Sequence, residues 1–118
     1  MSTVTFSEAL RTSDLKDGEM KEVNVNGHAI LVAMVGGKVY AVSGRCPHMG
    51  GRLAQGKLDG TVITCPRHGS RFDVTNGQVM RWTKWSGVVG SAVKLIKSPR
   101  PLAVYPVRVE GDKILVEV

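Results

Sequence analysis

The stretch GRCPHMGGRLAQGKLDGTVITCPRHGSRFDV, Gly44–Val74, holds both cysteines of the 118-residue chain and two of its three histidines. They form two boxes, Cys46-Pro47-His48 and Cys65-Pro66-Arg67-His68, with sixteen residues between His48 and Cys65. Thiolate and imidazole together suit zinc or iron. Along extended backbone, side chains two apart alternate and tend to diverge. A Cys-x-His box therefore serves two metals better than one, with both thiolates on one ion, both imidazoles on the other and bridging atoms between. Pro47 and Pro66 stiffen the boxes. Gly50, Gly51 and Gly69 let backbone approach closely and leave amide donors free for sulfur. A disulfide is the other use of two cysteines, but a reducing compartment and the flanking histidines argue for metal.

Outward from the boxes, strand signals dominate. "MKEVNV", Asn26-Gly27 and "HAILVAMV" read as a hairpin with a type I′ turn, and Gly36-Gly37 leads into "KVYAVS", so residues 20–43 are expected to form a three-stranded meander. "TVITC" precedes the second box. "SRFDV", Thr75-Asn76-Gly77 and "QVM" suggest another hairpin, and "YPVRVE", Gly111-Asp112 and "KILVEV" a last one. In that last hairpin Val107, Val109, Ile114, Val116 and Val118 alternate with polar residues, the period of a half-buried antiparallel sheet. "VTFSEAL" is strand-like, and "SDLKDGE" reads as a loop or short helical turn. His28 follows a turn and reads as an ordinary strand residue. One segment resists: "RWTKWSGVVGSAVKLIKSPRP" carries Trp82 and Trp85 and has near-helical apolar spacing, but Gly87 and Gly90 weaken a helix and Pro99 and Pro101 end it. It is read as an insertion over about residues 81–98. The tryptophans are expected to cover the core or the insertion itself.

The length is that of one domain, and 42% hydrophobic residues supply one core. No apolar run approaches the roughly 20 residues of a transmembrane helix. The N-terminus shows no signal-peptide pattern, so a cytoplasmic protein is expected. The net charge is +6, and its excess sits in residues 77–109, which contain Arg81, Lys84, Lys94, Lys97, Arg100 and Arg108 and no Asp or Glu. Such a field steers association with an acidic partner. Nucleic acid is set aside because Lys and Arg do not alternate with stacking aromatics.

The two boxes resemble those of the Rieske [2Fe–2S] ferredoxins, in which two His replace two Cys on one iron. "MGGRLAQGKLDGTVIT" is similar to that family's first loop and connecting strands, "GSRFDVTNGQV" to its second loop and exit hairpin, and "PRPLAVYPVRVEGDKILVEV" to its Pro loop and closing strands. The resemblance implies an all-β fold: a Rieske-like antiparallel β-sandwich with a cluster-binding subdomain of two loops. It implies one domain over 1–118, with that subdomain at about 45–76 inserted in a β base. It further implies one Rieske-type [2Fe–2S] cluster per chain, with Cys46 and Cys65 on the inner iron, His48 and His68 on the outer one, and Ser70 and Pro101 bordering it.

Respiratory members of the family bridge their loops with a disulfide. Gly51 and Arg67 stand at those places here, so that bridge is excluded. Those members also carry a Ser and a Tyr that donate to sulfur; Ser70 is present, but Phe72 replaces the Tyr. Fewer donors lower the potential, toward the low end of a range of about −150 to +300 mV. The resemblance implies a soluble one-electron carrier between a reductase and a terminal redox enzyme such as a non-haem oxygenase. Electrons would leave at the imidazole edges, with Met49, Arg52 and Arg67 flanking the exit, and the potential would fall at alkaline pH. The chain is expected to be no enzyme by itself, to serve protein redox partners with an acidic docking surface, and to be a monomer or a subunit of a larger complex. Two alternatives stand: a small Rieske subunit of a nitrite-reductase-like enzyme, and a zinc-stabilised binding module.

Overall fold

The computed structural model describes residues 6–46, 52–66, 69–81 and 101–118. The insertion read over 81–98 lies almost entirely outside the described residues, as do both tryptophans.

Among the described residues, three antiparallel sheets form. The middle sheet has the order β2 (Met20–Val25), β3 (His28–Val35), β4 (Lys38–Ser43) and β9 (Val104–Tyr105). Its meander follows from turn chemistry. Asn26 and Gly27 have φ of 52° and 84°, and Gly36 and Gly37 have 61° and 78°. Two successive positive φ values are what a two-residue type I′ loop demands. His28 opens β3 and is exposed.

The run "AILVAMV" in β3 shows no period-two alternation because the middle sheet is covered on both faces. Ile30 and Val32 face one core with Leu10, Leu15, Val25, Ala41, Ile114 and Val116. Leu31 faces a second core with Val42, Cys46, Leu53, Ile63, Cys65, Phe72, Val74 and Leu102. Full burial of each such aliphatic side chain stabilises the fold by about 1.5–3 kcal/mol.

The first core is closed by a three-stranded sheet, β1 (Phe6–Arg11), β11 (Lys113–Glu117) and β10 (Val107–Glu110). Ile114 and Val116 are fully buried, as their alternation predicts. Val109 departs from it and is 49% exposed, because β10 is the edge strand. "YPVRVE" is split at Pro106: Val104–Tyr105 pairs with β4, and Val107–Glu110 pairs with β11. The "SDLKDGE" region begins with a 3₁₀ turn, Thr12–Asp14.

The second core is closed by a four-stranded sheet, β5 (Lys57–Asp59), β6 (Val62–Thr64), β7 (Arg71–Asp73) and β8 (Val79–Arg81). Residues 101–103 tie this sheet to the middle one. Leu102 N–H donates to Gly77 O at 2.7 Å, and Ser43 N–H donates to Ala103 O at 2.9 Å. An all-β, antiparallel architecture is the outcome, as the sequence predicts.

Candidate metal centre

Cys46 follows β4 and Cys65 follows β6, and both are buried, at 2% and 3% exposure. Both belong to the second core, so two loops leaving two different sheets bring their thiols into one apolar cluster. Neither forms a disulfide. The second box turns back on itself: Gly69 N–H donates to Cys65 O at 3.1 Å, and Cys65 N–H donates to Ser70 O at 2.7 Å. Gly69 has φ of 73°, a conformation that glycine adopts without strain. Ser70 is fully buried and Phe72 beside it fills the core. Pro101 is exposed at the head of the segment that delivers Leu102. His48 and His68 lie outside the described residues, as do Met49, Gly50, Gly51 and Arg67.

The first loop has a neck that sequence reading missed. Arg45 and Arg52, on either side of the loop, face each other in an antiparallel bridge, and Leu53 N–H donates to Gly44 O at 3.1 Å. Glu22 of β2 spans the neck. Its Oε1 accepts from Arg45 Nη1 at 3.1 Å and its Oε2 from Arg52 Nη2 at 3.2 Å. Glu22 is opposite Leu31 in the ladder, on the sheet face toward the thiols. Gly44 leaves room for the carboxylate: a Cβ there would stand 3.3 Å from Glu22 Oε1 and 3.2 Å from Ala29 O. A lone Glu in an alternating strand carries no sequence signal for this role. Arg52, expected at the electron exit, is engaged by Glu22.

The family model described as the Rieske [2Fe–2S] domain matches residues 5–106. The chain belongs to this family. Its cofactor is a Rieske-type [2Fe–2S] cluster, and the described residues fit one: two buried thiols in a shared apolar cluster, without a disulfide, each two or three positions before a histidine in sequence. Two thiolates and two imidazoles are the donor set of that centre.

The relatives agree. The chain is 30% identical over 116 residues to the ferredoxin component of a Pseudomonas putida naphthalene 1,2-dioxygenase system, covering 98% of both chains. It matches the ferredoxin of carbazole 1,9a-dioxygenase from Nocardioides aromaticivorans IC177 with a TM-score of 0.78 and 29% identity, over 95% of this chain and 96% of that one. It also matches a solved complex of reduced oxygenase and oxidised ferredoxin in carbazole 1,9a-dioxygenase, with a TM-score of 0.75 and 29% identity, over 95% and 92% of the two chains. Among the described residues no helix is long and apolar enough to cross a membrane.

Proposed function

We propose that this Rieske protein is the ferredoxin component of a multicomponent aromatic dioxygenase system, carrying one electron at a time from a reductase to a terminal oxygenase. It is an electron carrier and not a catalyst by itself. The observation that carries the reading is the burial of Cys46 and Cys65 in one core, in a chain that aligns end to end with ferredoxin components. Those equal-length relatives favour the carrier over the nitrite-reductase-like subunit, and the family's cofactor replaces the zinc module.

When bound, the [2Fe–2S] cluster supplies a centre that gains and loses one electron. We assign Cys46 and Cys65 to its inner iron, and His48 and His68 to its outer one. The apolar wall of Leu53, Ile63, Phe72 and Leu102 excludes water from the thiolate side, and the Glu22 clamp holds the neck of the loop that carries Cys46 and His48. Ser70 and Pro101 border the centre. We read the chain as a single domain with a cluster-binding subdomain over about 45–76 set in a β base, working in the cytoplasm.

The test is spectroscopic. The purified protein should contain acid-labile sulfide and, when reduced, give the EPR signal of a mixed Cys/His [2Fe–2S] centre. His48→Cys should retain some cluster with a lower potential; an unchanged potential overturns the ligand assignment. A colourless protein with one zinc per chain overturns the function.

A further inference from the structure

The outer face of the β5–β8 sheet is polarised, and its cationic end adjoins the second cysteine box. The ladder aligns Lys57 with Thr64 and Thr64 with Arg71, one row across three strands. Thr64 immediately precedes Cys65, and Arg71 immediately follows Ser70. The next row, Leu58, Ile63, Phe72 and Val79, points the other way, into the core with the thiols. The row beyond, Asp59, Val62 and Asp73, returns to the outer face and is acidic.

Lys57, Asp59, Val62, Thr64 and Arg71 line a shallow depression of about 310 Å³ on that face. Lys57 and Arg71 are exposed. Among the described residues neither makes an ion pair, whereas Arg11, Arg45, Arg52 and Arg108 are each matched to a carboxylate. Asp73 Oδ1 is engaged by the Thr75 N–H and hydroxyl. The two cations next to the cysteine box therefore remain outside any ion pair among the described residues, while the acids of this face lie one row further from the box. The chain enters its acid-free segment within this sheet, from Gly77 onward, between β7 and β8.

We propose that the Lys57–Thr64–Arg71 row is a docking surface for a carboxylate-rich patch on a redox partner protein. The patch would sit beside the cluster loops and align the partner for electron transfer. This rests on the carrier reading. Charge complementarity of this kind sets encounter rate and orientation more than final affinity, which suits a shuttle that must release its partner.

The test uses the cluster-loaded protein and poly-L-glutamate as the acidic probe at low salt. Lys57→Glu with Arg71→Glu should weaken binding about tenfold. The same charge change at Lys38 and Lys113, both exposed and outside this sheet, should weaken it less than about threefold. The neutral pair K57Q/R71Q should fall between and guards against misfolding of the reversed pair. Equal weakening by the two reversed pairs overturns the docking face, as does a short DNA duplex that competes for the same residues with higher affinity. A wild-type protein that lacks the reduced-state EPR signal sinks the carrier reading instead, so the two failures are distinguishable.

Discussion

Removing the Glu22 carboxylate should open the neck of the first loop by a measurable factor. Unit charges about 3 Å apart attract by about 1.4 kcal/mol in bulk water and about 5 kcal/mol at an effective dielectric near 20. The Glu22 side chain is 17% exposed, and those of Arg45 and Arg52 are 45% and 53% exposed, so both pairs lie near the aqueous limit. Ordering two long arginine side chains offsets part of that, leaving about 0.5–1 kcal/mol for each pair. Glu22→Ala should then shift local opening by about 1–2 kcal/mol, or about 5- to 30-fold. The reporter is the Leu53 amide, whose partner is Gly44 O across the neck. Hydrogen–deuterium exchange read by mass spectrometry on peptides spanning 43–55 should speed up by that factor, at matched cluster occupancy. Glu22→Gln keeps the shape and loses the charge, so it should fall between. Screening at high salt should shrink the difference from wild type. Exchange within twofold of wild type for both variants at low salt refutes the clamp.

The other predictions concern single positions. Gly77→Ala should cost more than about 2 kcal/mol, because Gly77 has φ of 75° and a Cβ there would run into Leu102 O; a wild-type denaturation midpoint contradicts this. Ser70→Ala should lower the reduction potential of the loaded protein by removing a hydroxyl beside the second cysteine box, and a titration with no change removes Ser70 from that role. Asp112→Asn should change stability by less than about 0.5 kcal/mol, because its pair with Arg11 spans 3.8 Å between side chains 60% and 63% exposed; a larger loss on chemical denaturation refutes that.

Much of this molecule is legible because its turns and boxes are local. Asn26-Gly27 and Gly36-Gly37 mark loops whose φ values only such residues adopt readily, and the paired Cys/His boxes point to a metal centre and carry the resemblance that implies an iron pair. The missed features depend on contacts between distant segments. β3 hides its alternation because two different partners cover its faces. β9 is two residues long and joins its sheet by pairing with Ala41 and Val42. Glu22 acquires its role from residues 23 and 30 positions away. Arg108, read as part of the basic segment, behaves differently in space, since it pairs with Glu110 at 3.5 Å and stacks on Phe6.

The pairing of β1 with β11 sets Phe6 beside Glu117, on the far side of the middle sheet from the two thiols. A tether or fusion attached near either residue would hold the protein by its back and turn the iron-bearing end toward solution. An electrode anchored there would give a uniformly oriented layer, and a permutant that joins these neighbouring strands and opens elsewhere would keep the three-sheet stack.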